Sequence, residues 1–166
     1  YHEAGHAIVA RYLGIDFECI TNRPNDKTNA AGHMVFGSNK LTPKSNYDVF
    51  TLLMGGIVAT DLALNHYDLS EAETDFQQCW DFLGKIMATE NVTFDLEETG
   101  GVLFADAQDT ARAILKEKLF YLHQIAAALK EKETLSMNEI DTILNKPSPL
   151  VLTSEMQLPL DEGPIQ

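Results

Sequence analysis

Two histidines one helical turn apart, with a glutamate between them, open the chain as His2-Glu3-Ala4-Gly5-His6. This spacing needs an α-helix to bring its side chains together, because residues four apart lie on one helix face and both imidazoles can then reach one point. Glu3, next to His2, flanks that point without sharing it. The surrounding run, YHEAGHAIVARYLG, favours the helix: it has good helix formers, no proline, and Gly14 as a stop signal.

Such a pair of imidazoles suits zinc, a borderline-soft ion that takes neutral histidine nitrogens in a tetrahedral shell, and the pattern reads as the HExxH motif of metallopeptidases. A catalytic zinc needs a third protein ligand from a separate element and one open position for water. Water held there has a pKa near 7, so an adjacent carboxylate can take its proton and direct it at a peptide carbonyl. His2 and His6 are therefore candidate metal ligands, and Glu3 is the candidate general base.

The chain is 166 residues long with 45% hydrophobic residues, enough for one domain with a real core. Twenty-five acidic against twelve basic residues leave a net charge of -13. With no cluster of lysine or arginine to track phosphates, nucleic acid is excluded as a partner. Cys19 and Cys79 lie far apart and form no CxxC element, so neither a disulfide framework nor a second metal site is indicated and a reducing compartment is expected. No apolar run is expected to reach the length of a membrane span, and no signal-like segment opens the chain. The sequence as given is expected to be soluble, with further sequence upstream of Tyr1.

Beyond the first helix, an imperfect period-two pattern over Ile15 to Thr21 predicts a strand, Asn22 to Ala31 a turn, and Gly32 to Gly37 a second strand paired with the first. Thr42-Pro43 predicts a helix N-terminus leading into the apolar run from Val49 to Leu64. Gly55-Gly56 weakens that helix by roughly 1 kcal/mol per residue relative to alanine, which predicts close packing against another backbone. A capping box at Ser70-Glu71-Ala72-Glu73 predicts a third helix to about Thr89. Apolar spacing at Ala111, Leu115, Leu119, Leu122, Ile125 and Leu129 predicts one long helix from Asp106 to Lys132. Ser136-Met137-Asn138-Glu139 is another capping box, opening a short helix that ends near Asn145. The expected fold is mainly α (α+β), with a small hairpin or sheet after the HExxH helix. Residues 1–146 are expected to form the domain, and 147–166 an extended tail.

Four blocks resemble the FtsH family of ATP-dependent zinc peptidases. YHEAGHAIVARYLG is similar to its metal helix, LLMGGIVATDL (Leu52 to Leu62) to its LLGGRAAEEL helix, AETDFQQCWDFLGKIM (Ala72 to Met87) to its ASNDLxxATxIAxxMV helix, and LKEKETLSMNEID (Leu129 to Asp141) to its LLEKETLDGEEI end. The blocks occur in the family's order. The resemblance implies a helical zincin-type peptidase domain in which His2, His6 and Asp75 bind Zn2+ and Glu3 is the general base. Glu71 and Asp75 also form an ExxxD pair, whose glutamate is the ligand in other HExxH peptidases; the block match favours Asp75.

The resemblance further implies a polypeptide substrate, a hexameric homo-oligomer, and an ATPase module and membrane anchor in a longer protein facing the cytoplasm, stroma or matrix. The chain departs from the pattern at Ile57, where the family has arginine, and at Thr60 and Asp61, where it has paired glutamates. No GxxxxGK[ST] phosphate loop is present. A catalytically inactive homologue acting as a binding or assembly partner is the alternative. A site-2 membrane protease would need long apolar spans. His33 is expected to be an exposed strand residue, His66 to sit at a helix end, and His123 to lie in the long helix without a ligand partner. Cys79 and Trp80 are expected to serve packing, and Glu71 and Glu73 to serve the helix N-terminus.

Overall fold

The structure, a computed structural model, describes residues 1–24, 32–37, 45–65, 69–90 and 96–148, the side chains of 69–72, 90 and 96–98 excepted. The first helix, α1, spans His2–Leu13. Gly14 ends it in the left-handed conformation (φ 71°), and the Ile15 N–H reaches back to the Ala10 carbonyl at 2.8 Å, which gives the paired terminal bonds of a Schellman motif. β1 (Cys19–Thr21) and β2 (His33–Val35) follow, then α2 (Asn46–Leu64), α3 (Leu69–Glu90), α4 (Leu96–Glu117), α5 (Leu119–Lys132), β3 (Thr134–Ser136) and α6 (Met137–Leu144). The fold is mainly α, with one small antiparallel sheet, as the sequence predicts.

Helix α2 is the centre of the core. It packs against α1 on one side and α4 on the other, with α3 alongside. Among the described residues it is one helix long and apolar enough to cross a membrane, which corrects the expectation that no run reaches that length. Its apolar character all round has another origin, since residues such as Phe50, Met54 and Val58 are buried against neighbouring helices, as in any helix enclosed by a core. It starts at Asn46 behind an N-cap at Ser45, where Ser45 Oγ accepts the Asp48 N–H and Asp48 accepts the Ser45 N–H. The predicted start at Thr42-Pro43 lies outside the described residues, and Ser45 takes the capping role instead.

At the crossing of α1 and α2, Gly5 and Gly55 let two backbones meet. A Cβ on Gly5 would lie 2.3 Å from the Gly55 carbonyl oxygen, and a Cβ on Gly55 would lie 3.1 Å from the Gly5 carbonyl oxygen. This is the backbone contact that the glycine pair predicts.

The predicted long helix from Asp106 to Lys132 is two helices. α4 begins earlier, at Leu96, and the chain bends at Lys118 (φ -101°, ψ 17°) before α5. Backbone bonds from Lys118 N to Ile114 O and from Leu122 N to Lys118 O carry the ladder across the bend. Apolar spacing therefore continues through it, and no glycine or proline marks it in the sequence. The early turns of α4 contain Gly100-Gly101, unpromising for a helix. Gly100 has a reason: a Cβ there would lie 2.5 Å from the Trp80 indole of α3. Trp80 also meets Phe104 edge-on at 4.7 Å, and Phe50 meets Phe82 at 5.6 Å. Such aromatic pairs are worth about 0.5–1.5 kcal/mol each, and these fasten α3 to α2 and α4.

The sheet has the order β2-β1-β3. β1 pairs with β2 (Ile20 opposite Met34) and with β3 (Ile20 opposite Leu135), both antiparallel. The strand predicted over Ile15 to Thr21 is shorter than expected, and β3 was not predicted, because three residues squeezed between a helix end and a capping box show no alternation. Its position is fixed locally: Glu133 turns the chain with φ 63°, and its carbonyl accepts the Thr21 hydroxyl at 2.8 Å and the Asn22 N–H at 3.0 Å. The Ser136–Glu139 capping box forms as predicted. Helix α3 begins at Leu69, so the predicted cap Ser70 falls within its first turn. The predicted tail lies, from residue 149 on, outside the described residues.

Candidate metal centre

The helical spacing of α1 does what the motif requires. His2 and His6 stack edge-on with ring centroids 4.7 Å apart, and their Nε2 atoms lie 3.0 Å from one another. From the other side, α3 brings Asp75, whose Oδ2 lies 2.9 Å from His2 Nε2 and 3.3 Å from His6 Nε2. Asp75 is 6% exposed and His6 7%. The structure thus brings together His2, His6 and Asp75, three residues whose donor atoms could hold one metal ion. The Glu71 side chain lies outside the described residues.

Three observations bear on whether these residues fit zinc. The spacing of 2.9 to 3.3 Å among the three donor atoms is close to the roughly 3.3 Å between ligand atoms that each lie about 2.0–2.1 Å from a tetrahedral zinc. Asp75 Oδ2 is buried within 2.9 and 3.3 Å of the two imidazole Nε2 atoms and has no other polar partner among the described residues. Finally, His6 Nδ1 donates to the Leu52 carbonyl of α2 at 2.8 Å, which leaves its Nε2 lone pair facing the other two donors. Metal-ligating histidines are oriented in this way by a carbonyl or carboxylate on the far ring nitrogen. The donor set of two imidazoles and one carboxylate fits zinc better than it fits magnesium or calcium.

Without metal, His6 and Asp75 form a buried charge pair. Burial opposes charge on His6, but the Asp75 carboxylate outweighs it, and with Glu3 and the Leu52 carbonyl lifts the imidazole to about 9. Burial also opposes charge on Asp75, yet the His6 imidazole, followed by hydrogen bonding from both histidines, holds its carboxyl well below the usual carboxylate range. Cys79, one turn beyond Asp75, is pushed up to about 12 by burial and by Asp75, so it is a packed thiol and not a nucleophile.

The signs give an expected result. A raised His6 contributes stability that is complete below its ordinary pKa of 6.5 and is lost as pH rises through about 9, and a depressed Asp75 contributes stability above its ordinary 3.8 that is lost as pH falls. Metal-free protein should therefore melt highest between those ordinary values, and its melting temperature should fall on going from pH 6 to pH 9. A melting temperature that rises over that range would show that the pair is not charged when metal-free.

Glu3 is not among the three converging donors. A Cβ on Gly32 would lie 2.9 Å from its Oε1, and its Oε2 is buried with no hydrogen-bond partner among the described residues. The base candidate thus stands beside the cluster, against the start of β2. His33 is half-buried on β2 opposite Thr21, less exposed than expected, and is not part of the cluster. His66 lies outside the described residues. His123 Nδ1 lies 3.0 Å from the Tyr1 hydroxyl. Sequence reading missed the Leu52 carbonyl and Gly32, the first because a backbone acceptor leaves no side-chain pattern.

No family model matches the chain. It is 26% identical over 189 residues to an ATP-dependent zinc metalloprotease FtsH 1 of Thermomicrobium roseum, covering 90% of this chain and 28% of that protein. It is also 26% identical over 182 residues to an ATP-dependent zinc metalloprotease FtsH 1 of Thermoanaerobacter sp., covering 87% of this chain and 30% of that protein. The chain thus spans less than a third of either relative, and over that stretch its likeness is to zinc metalloproteases of the FtsH family.

Proposed function

We propose that the chain is a zinc-dependent endopeptidase unit acting on unfolded or loosely structured polypeptide. The observation that carries this reading is the convergence of His2, His6 and Asp75 beside a buried oxygen of Glu3 that has no hydrogen-bond partner among the described residues. His2, His6 and Asp75 would hold the ion. Zinc bound there would supply a Lewis acid that acidifies water and polarises a carbonyl. Glu3 Oε2 accepts the proton of the attacking water and returns it to the leaving amine. Leu52 holds the His6 ring in place through its Nδ1.

Substrate binding is proposed along β2. Among the described residues β2 pairs only with β1, so its other edge can take an extended peptide through main-chain hydrogen bonds with little demand on side chains. The relatives are named ATP-dependent. We extend that to this chain as the peptidase part of a ring-shaped, nucleotide-driven assembly, whose nucleotide site would come from residues other than these.

Full-length protein should contain about one zinc per chain and cleave casein. Zinc without cleavage would instead favour the inactive homologue. Changing Asp75 to asparagine should lower zinc affinity by more than about 100-fold, since even partners outside the ligand set are worth about 10–100-fold. Metal titration followed by mass spectrometry of the native protein reads this directly. Undiminished zinc uptake by Asp75→Asn would move the third-ligand role elsewhere, with Glu71 next in line.

A further inference from the structure

Helix α2 faces the cluster with a column of residues four apart: Leu52, Gly56 and Thr60. The Leu52 carbonyl accepts His6 Nδ1–H, and the Thr60 hydroxyl donates to the Gly56 carbonyl at 3.2 Å. Gly56 itself presents only backbone. A Cβ placed there would lie 2.5 Å from His6 Nε2 and 2.6 Å from His2 Nε2. Those are the two nitrogens that converge on the proposed metal, so the first carbon of any side chain would crowd both of them. The two members of the glycine pair therefore have different tasks: Gly55 faces the α1 backbone, and Gly56 faces the imidazole tips.

We propose that Gly56 is the positioning residue that keeps the ligand triangle open, so that the residue at this place in α2 decides whether the chain can take up metal. The proposal rests on the metal-site reading above. Its distinguishing feature is that the atoms in conflict are the ends of two rotatable side chains. Alanine at 56 can be accommodated by swinging both imidazoles aside, and alanine is the better helix former. The fold survives and the metal site does not.

The test compares Zn2+ binding by the parent protein, Gly56→Ala and Gly84→Ala. Gly84 is a helical glycine of α3 with nothing among the described residues within 4 Å of its Cβ position, so it controls for the change in helix propensity. Gly56→Ala should keep the parent's circular dichroism and lose zinc affinity by more than about 100-fold, with Gly84→Ala unchanged. In metal-free protein, nitrogen-15 NMR should show a slowly exchanging His6 Nδ1 proton in the parent that disappears in Gly56→Ala, because the ring has left the Leu52 carbonyl.

Parent-like zinc affinity in Gly56→Ala overturns the proposal and leaves the metal reading standing. A parent that takes up no zinc overturns the metal reading; the metal-free arm then decides, and a His6 Nδ1 proton that persists in Gly56→Ala overturns the role of Gly56. If Gly56→Ala fails to fold, the variant also carrying His2→Ala and His6→Ala should fold, since the crowding is with those two rings. Failure of that variant overturns the proposal.

Discussion

Replacing Glu3 by glutamine is expected to reduce casein cleavage by about 10²–10⁴-fold, the usual worth of a positioned general base, and to leave zinc content unchanged. The amide has the shape of the carboxylate but cannot accept a proton. Because Glu3 stands outside the three converging donors, the ion should not notice the change. Its carboxylate rests against Gly32, with one oxygen buried and without a hydrogen-bond partner among the described residues, a costly arrangement for a group whose task is structural. Two outcomes would count against this assignment. Loss of zinc from Glu3→Gln would make Glu3 a ligand, and cleavage at the parent rate would mean that another group moves the proton.

A second large effect is expected at the α1–α2 crossing. Gly5→Ala would put a methyl group 2.3 Å from the Gly55 carbonyl oxygen and 2.4 Å from Ala59 Cβ, so the two helices would have to separate. Neither obstacle is a side chain that can turn away. Overpacking of this kind costs about 1–3 kcal/mol and sometimes more, and with backbone on both sides we place it at about 3 kcal/mol or above. For a chain of this size that is a drop of roughly 6–12 °C in melting temperature. Gly5→Ala should also weaken zinc binding, because His6 would lose its carbonyl on the displaced α2. A melting temperature within about 2 °C of the parent would mean that the helices do not cross this closely.

The features legible in the sequence were those written in local chemistry. The HEAGH spacing, the Gly14 stop and the Ser136–Glu139 box each specify a turn of helix through contacts within a few residues, and all are present. The glycine pair in the second helix signalled a close backbone approach, but nothing in its spelling said that Gly55 and Gly56 face different neighbours. Asp75 was reached through resemblance and not through periodicity, since its helix offers several carboxylates at similar spacings. What escaped was set by distant parts of the chain. β3 exists because Glu133 turns the chain beside Thr21, and the bend at Lys118 leaves the apolar repeat intact. The cap of α2 at Ser45 was not anticipated, because Thr42-Pro43 was the start signal read from the sequence.

The central position of α2 has a consequence for biogenesis. Emerging from the ribosome, this helix meets α1 at once, but the flank destined for α4 stays bare until dozens of later residues have been made, and β1 waits longer still for Thr134, which bonds to Thr21 across 113 positions of sequence. During that interval a nascent chain displays a greasy cylinder that a chaperone or a bilayer would each accept, so the half-made protein is at greater risk than the finished one.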